Sequence, residues 1–299
     1  MSFLLFGLKR KKIRSLAKKL IRSSIGTIDG KAGNYKVIEL LHRGLILSNA
    51  YKKDDLFSSI QIQTKTGCNY SCRFCPANKD LVNLYGGESN YAKMSIELFE
   101  DIICQLSKMK FSGRISPYLM NEPLLDGRLP RFVAITKNKC PNAFIFIQTN
   151  GKLLNKKMLV ELVDAGIDEI YVNDYTENGI ILKLLINMDI PRRYRERLTL
   201  EKRSLDEKLT NRAGNIFVSN KIYNVPCLKP FKQMFITFNG IAVLCCQDWQ
   251  FLQQMGDVKK GSLMSIWNNH AYKMIRNNLG KSQRAFNVLC SRCDSSGLW

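Results

Sequence analysis

Within the stretch IQIQTKTGCNYSCRFCPAN, Cys68, Cys72 and Cys75 fall inside eight residues. An alternating strand runs out at Thr64, a turn at Gly67 follows, and the C-x3-C-x2-C run comes directly after it. Three thiolates on one short loop, with no fourth nearby, suit three irons of a [4Fe–4S] cluster and leave the fourth iron open. An open position can bind and activate a ligand, whereas a closed site only holds a fold together. A zinc ribbon would need a second C-x2-C pair close by, and the next cysteine is Cys104, inside an expected helix. Ten cysteines in a chain with no expected secretory signal point to a reducing cytoplasm and metal use rather than disulfides. Two histidines, His42 and His270, make a histidine-based metal site a poor reading.

A chain of 299 residues with 45% hydrophobic content can hold one large domain and a smaller one. No run of 18 apolar residues is present, so no membrane-spanning helix is expected. The net charge is +21, concentrated partly in LKRKKIRSLAKKLIRS, where eight basic residues occur without an acid. Ile13, Leu16, Ala17, Leu20 and Ile21 recur there at helical spacing, which gives a basic amphipathic helix. Such a helix is a docking element with a solvated face, or it makes peripheral contact with an anionic membrane. The remaining charge suits an anionic small-molecule substrate or partner, and no nucleic-acid-binding motif is present.

Residues 1–57 read as an extension, and from Ser58 strands and helices alternate. SIQIQT is the first strand, and SIELFEDIICQLSKM a helix capped by Ser95. RISPYLM, AFIFIQ, DEIYVN and RERLTLEKR are further strands, with LPRFVAITKNK, LNKKMLVELVDAG and IILKLLINM as the helices between them. Strand–helix alternation with short connections calls for a parallel sheet. The chemistry-bearing residues fall at the C-terminal strand ends, where curled parallel sheets gather ligands.

The C-x3-C-x-aromatic-C run, with Phe74 as its aromatic, resembles the radical S-adenosylmethionine (SAM) superfamily. That resemblance implies a partial (β/α)6-type barrel of parallel strands spanning residues 58–213. It also implies that the open iron is chelated by SAM, and that one electron from the cluster cleaves SAM to methionine and a 5′-deoxyadenosyl radical. A carrier such as flavodoxin or ferredoxin would supply that electron. Met120-Asn121-Glu122-Pro123 stands where the family has Gly-Gly-Glu-Pro, which makes Glu122 a partner of the SAM ammonium, although both glycines are replaced. Thr149 and Asn150 match the polar pair after the third strand, and Asn173 the ribose-contacting residue after the fourth. Asn150-Gly151 is otherwise a turn, and Asn173-Asp174 a helix cap.

Four more cysteines follow in the last third: Cys227, Cys245, Cys290 and Cys293. FITF-NG-IAVLCC reads as a hairpin on a two-residue turn, with Cys245 ending its second strand, and SLMSIWNNHAYKMIRNN as one helix. Four thiolates close a cluster or hold a zinc. The spacing C-x12-G-x4-C followed by C-x2-C resembles the auxiliary-cluster region of SPASM and twitch enzymes. The resemblance implies one auxiliary [4Fe–4S] cluster in residues 214–299, in a small hairpin-and-helix subdomain. The chain ends six residues after Cys293, too soon for a second auxiliary cluster. Neighbours on a strand face opposite sides, so Cys246 is either a packed apolar side chain or a hydrogen-atom donor to substrate. LTNRAGN, from Leu209, resembles the junction of such enzymes, with Arg212 as a cation for substrate.

The resemblance therefore implies a radical enzyme that takes hydrogen from a C–H bond, at a carbinol carbon of a sugar or aminocyclitol. Dehydrogenation or epimerisation would follow. Ribosomal-peptide maturation and a non-catalytic iron–sulfur sensing or electron-transfer role are the other readings.

Overall fold

The computed structural model describes residues 56–76, 92–204, 210–216, 225–295 and 297. The expected basic helix and Leu209 lie outside the described residues. In chain order the first elements are β1 (Ser59–Ile62), α1 (Ile96–Lys108), β2 (Arg114–Ser116), α2 (Leu129–Lys139), β3 (Phe144–Thr149) and α3 (Lys156–Asp164). There follow β4 (Glu169–Asp174), α4 (Ile180–Ile186), α5 (Arg192–Arg195) and β5 (Leu198–Lys202). The last part adds α6 (Lys229–Lys232), β6 (Gln233–Ile236), β7 (Ile241–Val243), β8 (Gln254–Asp257), α7 (Leu263–Trp267), α8 (His270–Gly280) and α9 (Val288–Ser291).

All these strands join one sheet in the order β5-β4-β3-β2-β1-β6-β7-β8. β1 to β6 run parallel, and β7 and β8 return antiparallel. This is the parallel sheet that strand–helix alternation calls for, in the partial barrel that the resemblance implies. Its sixth parallel strand is the first arm of the hairpin, laid along the free edge of β1 with Ile60 opposite Met234.

Alternation decides what each face carries. Ile60, Ile62, Ile115, Met234 and Ile236 pack outward against Phe99, Ile102, Ile103 and Leu106 of α1 and Phe132 of α2. Ile145, Ile147, Ile170 and Val172 do the same against Leu159 and Leu162 of α3. Burying a side chain of this size contributes roughly 1.5–3 kcal/mol, so the helix-covered face holds the sheet together. The opposite parity turns Gln61, Gln63, Ser116, Phe146, Tyr171 and Asn173 toward the barrel interior. There Arg114 lies over the Phe146 ring at 5.2 Å, and Phe146 meets Tyr171 at 6.4 Å between centroids.

Several boundaries differ from the sequence reading, each for a local reason. β2 stops at Ser116 because Pro117 has no N–H to extend the ladder. The expected single helix from Ser262 breaks at Asn268-Asn269, and the Asn269 side chain accepts from Tyr272 N–H at 2.9 Å to start α8 afresh. Asparagine competes for backbone partners in this way and favours caps. The hairpin turn holds three residues instead of two. Thr237 N–H reaches the Ile241 carbonyl at 2.9 Å, and Gly240 takes φ 89° behind Phe238-Asn239. β7 ends at Val243, two residues before Cys245. β8, whose sequence QMGD has no strong alternation, was not anticipated.

The tightest point in the sheet is Gly113, at the entry to β2. A Cβ there would lie 2.3 Å from the Ser58 carbonyl oxygen, whereas one at Gly127 would meet nothing within 4 Å. Gly113→Ala is expected to lower stability by about 1–3 kcal/mol or more, and Gly127→Ala to leave it unchanged or slightly raised. Urea denaturation of the two variants side by side checks this.

Candidate active site

β1 delivers the first three cysteines. After Thr64 the chain turns at Gly67, whose φ is 92° and whose carbonyl accepts from Glu122 N–H at 2.9 Å. Cys75 N–H bonds to the Cys72 carbonyl at 3.0 Å, so the x2 spacing closes as a turn. Burial pushes the Cys68 thiol up to about 12 and Cys72 up to about 11, with the other cysteines of the loop adding to both. Desolvated thiols that repel one another's ionisation lack a cation. Iron supplies that charge and deprotonates a coordinating thiol. The donor set therefore fits a cluster.

The strand-end residues singled out from the sequence converge on this loop. Glu122 is 4% exposed, and its carboxylate accepts from Leu124 N–H at 3.1 Å, Thr149 Oγ1 at 2.5 Å and Asn150 N–H at 2.9 Å. Burial still raises its pKa above the usual carboxylate range despite those donors. An ionised carboxylate offers about four acceptor positions, so one is left for an ammonium group. Asn150 Nδ2 bonds to Asn69 Oδ1 at 2.7 Å and stands 3.9 Å from Cys68 Sγ. The two glycines missing from the family pattern are not needed, since neither Met120 nor Asn121 has a positive φ. Asn121 Oδ1 makes the turn by accepting from Leu119 N–H at 3.1 Å.

Asn173 is buried on the interior face of β4 and is not the cap. That task falls to Asp174, which accepts from Thr176 N–H at 2.7 Å and Leu182 N–H at 3.0 Å. Phe74 packs its ring 5.3 Å from Tyr175, which in turn lies 6.5 Å from Tyr70. Tyr175 escaped the sequence reading, because an aromatic one residue past a strand carries no distinctive spacing.

The second cysteine group surrounds a small, largely apolar cavity. Cys227, Cys245, Cys290 and Cys293 all line it, with Leu244, Leu279 and Leu289 among the apolar walls. Among the described residues no three His, Cys, Asp or Glu side chains stand close enough to hold a single ion. Four thiolates around one cavity can close a cluster. N–H groups of Gln247 and Ser295 already point at Cys245 Sγ (3.3 Å) and Cys293 Sγ (3.4 Å), the kind of bond that tunes cluster sulfurs. Gly297 lets the chain pass, since a Cβ there would meet Cys227 Sγ at 2.7 Å.

Cys246 does not line that cavity. It packs instead against the interior group of Leu119, Met120, Phe235, Val243 and Trp249. Its sulfur accepts from Lys229 Nζ at 3.2 Å, a partner that nothing in the sequence announced. Arg212, at φ 52°, donates from Nε to the Phe74 carbonyl at 3.3 Å. Its neighbour Asn211 is held by Asp294 at 2.7 Å and by the Arg292 carbonyl at 2.7 Å. Arg212 thus joins the first cysteine loop to the last one.

Residues 62–185 match the radical SAM superfamily, and residues 227–294 match the SPASM iron–sulfur cluster-binding domain. The chain belongs to the radical SAM superfamily. It is 29% identical over 249 residues to the S-adenosyl-L-methionine-dependent 2-deoxy-scyllo-inosamine dehydrogenase of Niallia circulans, covering 81% of this chain and 94% of that protein. The crystal structure of BtrN in complex with AdoMet and 2-DOIA superposes with a TM-score of 0.69 at 27% identity, again over 81% and 94% of the two chains. BtrN in an open conformation scores 0.62 over the same shares, at 27% identity. This radical SAM enzyme uses a SAM-binding [4Fe–4S] cluster and an auxiliary [4Fe–4S] cluster, and it cleaves SAM to abstract hydrogen from a C–H bond. Among the described residues no helix is long and apolar enough to cross a membrane.

Two outcomes test the residue assignments. Glu122→Gln is expected to weaken SAM binding at least tenfold with the iron content unchanged, because the amide presents a donor where three donors already point; isothermal titration reads this. Cys290→Ser is expected to lower iron from about eight to about four per chain, measured with sulfide after anaerobic reconstitution.

Proposed function

We propose that this enzyme oxidises a carbinol carbon of an aminocyclitol or a similar polyhydroxylated ring. The observation that carries the reading is where the two cysteine groups sit on the sheet. β1 leads from its C-terminal end to Cys68, Cys72 and Cys75. β7 runs back beside β6, Phe235 opposite Val243, and so brings Cys245 toward the N-terminal end of those strands. The interior face between the two ends is polar. Gln63, Ser116 and Asn173 are buried on it, and Arg203 Nη1 pairs with Glu201 at 2.9 Å on β5 and its continuation. Hydroxyl and amine groups match such a lining. The dehydrogenase relative, similar along most of both chains, supports the same substrate class.

When bound, SAM and the two clusters supply a carbon-centred radical that removes one hydrogen atom, and an acceptor for the second electron. Cys68, Cys72 and Cys75 would hold the first cluster. Glu122, Thr149, Asn150, Asn173 and Phe74 would orient SAM. Cys227, Cys245, Cys290 and Cys293 would close the second cluster and leave it no corner for substrate. An interior closed around substrate would exclude water, which guards reactive species from side reactions. A small flavin or iron–sulfur carrier would supply the initiating electron. On this reading residues 58–213 form the SAM-binding part and residues 214–299 the auxiliary part.

Epimerisation is the second reading, and the interior position of Cys246 is what favours it, since a thiol there can return a hydrogen atom. Product analysis in deuterated buffer separates the two. The dehydrogenase reading expects a ketone, one 5′-deoxyadenosine per product, no solvent deuterium on carbon, and turnover retained in Cys246→Ala. A product of unchanged oxidation level carrying solvent deuterium, lost in Cys246→Ala, would overturn it. Absence of 5′-deoxyadenosine with every substrate tried would leave the redox-sensing role.

A further inference from the structure

Lys229 is the one buried lysine side chain among the described residues, at 6% exposed, and it lines the four-cysteine cavity. Among the described residues no carboxylate lies within ion-pair distance of it. Its Nζ instead donates to Cys246 Sγ at 3.2 Å. An ammonium buried without a counter-charge costs several kcal/mol, so such a group needs an anion nearby. Arg284 also borders the cavity but is differently engaged. It donates to the carbonyls of Val225 at 2.8 Å, Ser295 at 2.6 Å and Cys293 at 3.4 Å, stitching the C-terminal loop. Lys229 alone of the two turns its charge onto sulfur. Two residues after Cys227, on α6, its backbone is fixed by the same segment that carries a cavity cysteine.

A cubane held by four thiolates has a net negative charge and gains another on reduction. A fixed cation beside it therefore stabilises the reduced form more than the oxidised one, and raises the potential. We infer that Lys229 is a positioning residue that raises the reduction potential of the auxiliary cluster, making it a better acceptor for the substrate's second electron. The inference rests on the assignment of the four cysteines made above. The bookkeeping is simple: one electron enters the cluster, no bond forms at Lys229, and the ammonium keeps its proton throughout.

The test is an EPR-monitored redox titration of the reconstituted full-length protein, with iron and sulfide counted on each sample. Lys229→Met and Lys229→Gln are expected to move the auxiliary midpoint to a more negative value while leaving the SAM-binding cluster's midpoint in place. Cys246→Ala removes the sulfur but keeps the charge, and is expected to leave the auxiliary midpoint at or above that of the parent. An unchanged auxiliary midpoint in both neutral variants overturns the inference. If both neutral variants lose half their iron, Lys229→Arg decides. Retention of the auxiliary cluster by the arginine variant supports a need for charge, and its loss there too makes Lys229 a packing residue and overturns the proposal. If the parent itself holds only about four irons, the cysteine assignment has failed, an outcome distinct from all of these.

Discussion

One buried carboxylate ties the working end of the barrel together. Glu122 takes hydrogen bonds from the turn that follows it and from both residues at the end of β3, and its own N–H returns to Gly67 in the cysteine loop. Hydrogen bonds to a charged group are each worth roughly 1.5–3 kcal/mol. Three of them would ordinarily pull a carboxyl well down, yet burial outweighs them and Glu122 remains raised. The site is therefore short of positive charge. On the proposed reading an arriving ammonium group would supply it, and the affinity for a cationic cosubstrate would follow from a deficit built into the fold rather than from an added contact.

The same logic runs through the rest of the interior. Both cysteine groups gather thiols whose ionisation burial opposes, Cys68 and Cys290 each to about 12. The chain answers with cations set at specific points instead of a diffuse basic lining. Arg212 holds the Phe74 carbonyl beside the first group, and Arg284 and Lys229 flank the second. Arg212 does so from a left-handed backbone conformation, which costs a non-glycine residue of order 1–3 kcal/mol and persists where surrounding structure over-determines it. Asn211 and Asp294 provide that determination.

Much of this was readable from the chain alone because the signals are local. Ile60 and Ile62 on one side of Gln61 announce a strand; Ser95 ahead of Ile96, Phe99 and Ile103 announces a capped helix; and both appear as read. The cysteine spacings, and the convergence of Glu122, Thr149 and Asn150, were also legible. What escaped depends on partners distant in sequence. Nothing near Phe235 says that the hairpin will zip onto β1, some 170 residues away in the chain. Cys245 was separated from Cys246 by strand alternation, although the strand ends at Val243 and both cysteines lie in the loop beyond it. Lys229 looks like any other lysine until burial and Cys246 surround it.

The pairing of β6 with β1 is what makes the two cysteine sites a matched set. Their register, Ser59 with Gln233 through Ile62 with Ile236, fixes one site beyond one end of the strands and the other toward the opposite end. Four residues of strand span about 13 Å at about 3.3 Å each. That length is set by backbone hydrogen bonds and not by side-chain packing. A substrate lodged between the ends can meet a hydrogen-abstracting group on one side and an electron acceptor on the other without either site moving. Had the auxiliary cysteines hung from a separate, hinged domain, the distance would vary with every opening of the hinge. Continuing β7 into Cys245 anchors that cysteine to the sheet, so what remains adjustable is the charge around each site, which is where Lys229 stands.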